Sequence, residues 1–338
     1  MTTVQFIKTT SKILTTLITR ALQNAGCVKA QAFSAAQHLV RAECEGQIGH
    51  GIRRTPSYVE QLKCGKVIGH AVPIFNKIGP GWGLIDAGHG FAYSACDLAV
   101  KHLFELCKAQ MIAGISITNS HHSGVGGHFV SELAKQGLIA MMFTNSPAAM
   151  PVFGSHKRFY GTNPIAFAAP RPDNEPLVID LSLSKVARGK IMAAKQQNKP
   201  IPEGWAKDCD GNPTTDPDQA IAGTMVAIGD AKGPALALMV EILASILSGA
   251  NFSYQMSSFL DNKGDKPNAG QLLIGFDVEA IAGKQALKRI NDIALAIESM
   301  DDCRLPGSRA QNLYKKSIEN DIQIDADFFD RLKALAST

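Results

Sequence analysis

Apolar residues recur at helical spacing from the start of the chain. In MTTVQFIKTTSKILTTLITRALQNAG, Ile13, Leu14, Leu17, Ile18, Ala21 and Leu22 are separated by polar positions, which predicts an amphipathic helix. The next stretch, AQAFSAAQHLVRAECEG, sets Phe33, Ala36, Leu39 and Val40 on one face before Gly46 ends it, so the first 48 residues read as two helices. Then the pattern changes. Residues 67 to 95 alternate apolar and turn residues, the signature of strands and turns, and SACDLAVKHLFELCKAQ returns to a helix.

From MIAGISITNS onward the runs GLIAMMFTNS, NPIAFAAP and PLVIDLSLS, each bounded by Gly, Pro or Asn, predict strands of one sheet. Residues 198 to 220 are dense in Pro, Gly, Asp and Asn and predict an ordered surface loop. The most apolar stretch, ALALMVEILASILSGA from Ala235, contains Glu241 and is shorter than the roughly 18 apolar residues of a membrane span, so it reads as a buried helix. A strand over QLLIGFDVEAI, a helix near residues 284 to 299 and a closing helix near Asp325 to Ala336 complete the chain. Helices at both ends are placed to pack together. There is no internal repeat.

With 338 residues, 45% hydrophobic and 19% charged, the chain has room for two modest domains, or one large domain with an embedded second core. The net charge of +4 is small and its Lys and Arg are scattered, which argues against nucleic-acid and membrane partners and leaves room for a small anionic ligand. Seven widely spaced cysteines without a C-x-x-C pair argue against a disulfide framework or zinc knuckle and suit a reducing cytoplasm. The N-terminal stretch lacks the apolar core and cleavage site of a signal peptide.

Four stretches carry candidate chemistry. In GHGIRRTPSYVEQL, His50 offers a proton donor or acceptor near neutral pH and Arg54 a fork for a carboxylate; a helix over 50 to 62 would put both on one face, with Arg53 turned aside. Spacing alone also fits a glycine turn with both side chains in solvent. TNSHHSGVGGHF combines glycines with backbone amides suited to a phosphate cradle, although neither G-x-G-x-x-G nor a Walker A loop occurs in the chain. A metal reading of His121, His122 and His128 finds no neighbouring acid, so no metal is expected. Thr162 and Asp180 lie at strand ends, where ligands commonly bind, or else make a turn and a helix cap; Lys232, Arg304 and Arg309 offer charge to a phosphate.

Together, GHGIRRTPSYVEQLKCG, NSHHSGVGGHF, GTNPIAFAAP, IDLSLSKVARGKI, IPEGWAKDCDGNPTTDP, KGPALALMVEILASILSGA and GQLLIGFD resemble, in this order from Ala30 to Arg309, the type-2 malate/L-lactate dehydrogenase family of NAD(P)H-dependent oxidoreductases. The resemblance implies a mixed α/β, non-Rossmann fold. A largely antiparallel sheet domain (116–299) would bind NADPH, or NADH, beside a helical substrate domain built from both chain ends (1–115 and 300–338), in a homodimer. It implies His50 as the catalytic acid/base, Arg54 as carboxylate anchor and Thr162 as a substrate contact. Cofactor contacts are implied for His122, Ser123, Gly124, Val125, Gly126 and Gly127, for Asp180, Leu181 and Ser182, and for Lys232, Arg304, Gly307 and Arg309.

Within the family, SGANFSYQ and RLPGSRAQ look most like the Δ1-piperideine-2-carboxylate/Δ1-pyrroline-2-carboxylate reductases, implying NADPH-dependent reduction of cyclic imino acids to L-pipecolate and L-proline. Two positions depart: Gly49 stands where the family usually has Ser, and Lys190 where such reductases can carry an Asp in a proposed relay with the histidine. A 2-hydroxy-acid dehydrogenase is therefore the alternative, and a non-catalytic dinucleotide-binding protein is a third reading, which His50 disfavours.

Overall fold

The computed structural model describes residues 5–337. β1 (Phe6–Thr9) leads into α1 (Ser11–Asn24), where the Thr10 hydroxyl accepts from the Ile13 amide at 3.2 Å and starts the helix. Leu14, Ile18, Ala21 and Leu22 form its buried stripe, each large side chain contributing about 1.5–3 kcal/mol of apolar burial. In α2 (Lys29–Cys44) the buried face is Ala32, Ala35, Ala36, Leu39 and Val40. Phe33, expected on that face, is 46% exposed because the small alanines make the close helix contact.

After α3 (Thr55–Lys63) come β2 (Ile74–Gly79), β3 (Trp82–Asp86), α4 (Ala92–Gln110), β4 (Ile112–Ser120), α5 (Gly126–Lys135) and β5 (Leu138–Thr144). The short β6 (Met150–Pro151) and β7 (Arg158–Tyr160) pair with each other, before β8 (Ile165–Ala169), β9 (Leu177–Leu181) and α6 (Arg188–Gln196). The Pro-rich loop is ordered around a small sheet of β10 (Ala206–Lys207), β11 (Pro213–Thr214) and β12 (Thr224–Met225), with α7 (Pro217–Ala222) between the last two. α8 (Lys232–Glu241) continues into a π turn, Ile242–Ile246. Then follow β13 (Ala269–Asp277), α9 (Val278–Ala282), α10 (Lys284–Glu298), α11 (Ser308–Glu319), β14 (Ile322–Asp325) and α12 (Ala326–Ser337).

The main sheet has seven strands in the order β2-β3-β4-β13-β5-β8-β9. Every neighbouring pair is antiparallel except β3 with β4. β13 lies at its centre, where adjacent Leu272 and Leu273 enter two different cores on opposite faces, as the period of two requires. α4 and α5 cover one face and the α8 segment the other. The expected division between residues 115 and 116 falls inside β4. The chain ends meet through α1 against α12 and through antiparallel β1 and β14.

The stretch expected to be a buried helix has one apolar face in the open. Leu236, Met239, Ile242, Ile246 and Leu247 are 38–55% exposed, while Ala237, Val240 and Ala244 pack inward. Among the described residues no helix is long and apolar enough to cross a membrane.

Candidate active site

The continuous helix expected from His50 is interrupted. Ile48–His50 and Ile52–Arg54 form two 3-10 turns separated by extended Gly51, and α3 begins only at Thr55. Glu43 causes the break: its buried carboxylate accepts from the Ile52 amide at 3.2 Å, and a Cβ on Gly51 would meet that carboxylate. Arg54 therefore reaches His50 by another route. Its Nε donates to the Gly49 carbonyl at 2.8 Å, which turns the guanidinium back over the histidine, and its Nη1 is buried without a partner. Arg53 is exposed, as expected, with its guanidinium 5.2 Å from the centre of the Phe328 ring.

His50 stacks on His122, with centroids 5.2 Å apart and planes 5° apart, and His50 Nδ1 shares a hydrogen bond with His122 Nε2 at 3.1 Å. His122 Nδ1 meets the Tyr58 hydroxyl at 2.6 Å, and Tyr58 meets the Tyr93 hydroxyl at 3.0 Å. Burial and the Arg54 charge push His50 down to about 3 and His122 well below its ordinary value, while burial pushes Tyr58 up to about 12 and Tyr93 well above the usual phenol range. All four are neutral near pH 7. Both ring nitrogens of His122, expected at the cofactor, are thus engaged inside the protein. At Gly49 there is no hydroxyl, and Lys190 turns to the Trp205 ring at 6.0 Å, so the partner of His50 is His122.

His121 has both ring nitrogens buried and unpartnered among Tyr58, Phe91 and Phe259; His128 instead joins Glu45 at 3.0 Å and His38 at 3.2 Å. The three histidines do not converge, and no group of His, Cys, Asp or Glu suited to a metal occurs among the described residues. A loop absent from the sequence-level site closes one side. Lys66 donates to the carbonyls of Ser258, Asp261 and Lys263 at 2.6–3.1 Å, and Gln61 to that of Phe259 at 3.0 Å, which seats Phe259 against His122 with centroids 5.6 Å apart.

The glycine loop runs from this centre to the end of β9. Ser123 and Val125 are buried, and glycine suits position 124 twice over: its φ is +70°, and a Cβ there would strike the Tyr93 ring at 2.8 Å. At the N-terminus of α5, Gly127 donates its amide to Asp180 Oδ2 at 2.8 Å, and a Cβ on Gly126 would contact Ala166. Asp180 is therefore no cap of α6, which begins after Ala187. It is open to solvent yet crowded by protein, and that loss of water pushes its carboxyl up to about 6. Leu181 is 42% exposed, and the Ser182 hydroxyl meets Ser184 Oγ at 3.1 Å.

Around the same strand, Gly307 adopts φ +80° with its Cα pressed on β9: a Cβ would lie 2.6 Å from the Val178 carbonyl oxygen. Gln311 fastens this turn by donating to the Pro176 carbonyl at 2.8 Å. Beyond β9, the Ile228 amide donates to the Leu183 carbonyl at 2.9 Å, which brings up Lys232 at the head of α8. Leu183 in turn donates to the Thr162 carbonyl at 2.8 Å, and the Thr162 amide to Ser146 Oγ at 3.1 Å. Lys232, Arg304 and Arg309 are exposed and have no carboxylate partner among the described residues.

One cation was not anticipated. A Cβ on Gly189 would lie 3.4 Å from the Gly49 Cα, so the start of α6 packs against the backbone that carries His50. The preceding residue, Arg188, has no hydrogen-bond or close ion-pair partner among the described residues; loss of water together with the charges of Arg158 and Arg54 lowers its pKa, against the opposing charge of Asp261. Arg158 is consumed, donating to the carbonyls of Gly223 and Ile221. Arg54 and Arg188 therefore both lie near the backbone that carries Gly49 and His50.

The model of the malate/L-lactate dehydrogenase family matches residues 9–333 of this chain. A (2R)-3-sulfolactate dehydrogenase (NADP(+)) of Chromohalobacter salexigens is 44% identical over 321 residues, 95% of this chain and 96% of that protein. A Δ1-pyrroline-2-carboxylate/Δ1-piperideine-2-carboxylate reductase of Pseudomonas syringae pv. tomato is 34% identical over 302 residues, 89% of this chain and 88% of that protein. The crystal structure of a Δ1-piperideine-2-carboxylate reductase from the same organism superposes with a TM-score of 0.91 at 32% identity, covering 97% of this chain and 99% of that one.

Proposed function

This chain belongs to the malate/L-lactate dehydrogenase family, and from that premise we propose that it interconverts a 2-oxo acid bearing a second acidic group with its 2-hydroxy acid, using NADP(H). The observation that carries this reading is a pair of cations beside the backbone of His50: Arg54, whose Nη1 is buried without a partner, and Arg188, next to Gly189 on the Gly49 backbone. A carboxylate would satisfy the buried Arg54 Nη1, and Arg188 offers a second guanidinium to a sulfonate or carboxylate. The 3-sulfolactate/3-sulfopyruvate pair, suggested by the Chromohalobacter relative, has this charge pattern.

A reduced nicotinamide dinucleotide supplies hydride to the substrate carbon when bound. Asp180 and Ser182 offer polar groups at the end of β9, and Lys232, Arg304 and Arg309 offer free charge to phosphates, so the residues present fit such a group. Arg54 holds the substrate carboxylate. His50 Nε2, which makes no hydrogen bond within the protein, donates a hydrogen bond to the substrate oxygen and stabilises the negative charge that hydride transfer places on it, and the resulting alkoxide takes its proton from solvent; oxidation runs the same steps in reverse.

A second reading, reduction of cyclic imino acids, has support in the 0.91 TM-score to the piperideine-2-carboxylate reductase; those substrates carry one acidic group and leave Arg188 unused. Rates of NADPH oxidation with 3-sulfopyruvate, oxaloacetate, pyruvate and the two cyclic imino acids separate the readings. The doubly acidic oxo acids should give the highest kcat/KM, and faster turnover of an imino acid would overturn the first reading. We also propose that two copies pair through the open apolar face of Leu236, Met239, Ile242, Ile246 and Leu247, a contiguous patch of the kind that marks protein interfaces.

A further inference from the structure

We infer that Tyr58, oriented by Tyr93, is a positioning residue that fixes His50 as the tautomer with its proton on Nε2, toward the cleft. The inference rests on the proposed role of His50. Three consecutive hydrogen bonds link Tyr93, Tyr58, His122 and His50. Each needs one proton, and each neutral member of the chain has one ring or hydroxyl proton to give. A neutral His122 carries its two bonds in one direction, and a Tyr58 that accepted from both sides would leave its own buried O–H without an acceptor, so the bonds run in the same direction.

In one direction the Tyr93 hydroxyl donates to Tyr58, Tyr58 donates to His122 Nδ1, and His122 Nε2–H donates to His50 Nδ1. His50 then carries its own proton on Nε2. In the other direction His50 donates from Nδ1, His122 donates to Tyr58, and Tyr58 donates to Tyr93. That arrangement leaves the Tyr93 O–H with no acceptor, because Tyr93 is 1% exposed and its hydroxyl bonds only to Tyr58 among the described residues.

A buried donor without an acceptor disfavours the second direction by roughly tenfold to a hundredfold. In the favoured direction Tyr93 leaves only spare acceptor capacity, which costs little. Gly124 keeps the loop against the Tyr93 ring and so leaves the hydroxyl no other outlet. The dead end at Tyr93 sets the polarity of the whole chain. The resting enzyme presents a neutral imidazole N–H as a hydrogen-bond donor to the substrate oxygen, the form that stabilises the alkoxide as reduction proceeds, and protonating His50 Nδ1 would require the chain to reverse.

Long-range 1H–15N spectra of protein labelled in its histidine rings test this near neutral pH, with His50 assigned by its loss in His50→Gln. We expect His50 and His122 each to carry the proton on Nε2. Tyr58→Phe should mix the His50 tautomers and lower kcat for reduction about tenfold to a hundredfold, with substrate KM within about twofold. Tyr93→Phe moves the dead end to the buried Tyr58 hydroxyl, whose proton has an acceptor only when it donates to His122, so the His50 proton should stay on Nε2 and mixing there would count against the inference. A wild-type His50 protonated on Nδ1 would overturn the inference, as would tautomer and kcat unchanged in Tyr58→Phe. If Tyr58→Phe does not fold, the wild-type spectrum and Tyr93→Phe still decide. Full turnover in His50→Gln would remove the proposed function itself, an outcome separable from all of these.

Discussion

Arg54 is held to its task by one backbone carbonyl. Its bond to Gly49 fixes Nε and leaves Nη1 to face an anion, a fork that lysine cannot reproduce. Arg54→Lys should lower kcat/KM about tenfold to a hundredfold, whereas Arg53→Lys, on the Phe328 ring, should stay within about threefold. Steady-state kinetics of the two variants check the assignment. His121 gives a pH test. Burial holds it down to about 3, against 6.5 for an exposed histidine, so the unfolded chain binds the extra proton first as pH falls. Its contribution is intact above about 6.5 and is lost progressively toward 3. His121→Phe should flatten the fall in urea midpoint between neutral and mildly acidic pH, and an unchanged slope would exclude His121 as its source. His50 and Arg54 were legible in the sequence because both sit in one short stretch. The reason they meet was not: it lies in Glu43 breaking the helix, and Tyr93 and Arg188 arrive from distant segments.

At the scale of elements, the turn at Gly307 joins α11 to β9. Gly307→Ala would meet the Val178 carbonyl and force an L-residue to φ +80°, at a cost of about 1–2 kcal/mol. Since the strain falls beside Arg304 and Arg309, the NADPH dissociation constant, measured by fluorescence titration, should rise several-fold, alongside the fall in melting temperature that thermal scans record. Equal NADPH affinity would take this turn away from the cofactor. Periodicity found the main-sheet strands and α1, α2 and α4, where one face is dry. It missed α11 because that helix has no buried residue, and it missed β1 with β14 because their pairing spans nearly the whole chain. It read the α8 segment as buried because the stretch is apolar on every face, whereas only one of those faces packs inward.

At the scale of the whole molecule, the candidate cleft gathers the turns of His50 and Arg54, the glycine loop and β9, while the open apolar face lies on α8 and its π turn, across the sheet from α4 and α5. Ile242→Lys should shift the mass in solution toward a single copy, measured by light scattering, and an unchanged mass would move the interface elsewhere. The charge pattern of the cleft carries the central claim. Its most direct test is the ratio of kcat/KM for 3-sulfopyruvate to that for pyruvate, with NADPH, in the wild-type enzyme and in Arg188→Met. The ratio should exceed roughly tenfold in the wild type, from one charge-assisted contact, and fall toward unity in the variant. A wild-type ratio near unity, or a ratio that Arg188→Met leaves intact, would contradict it.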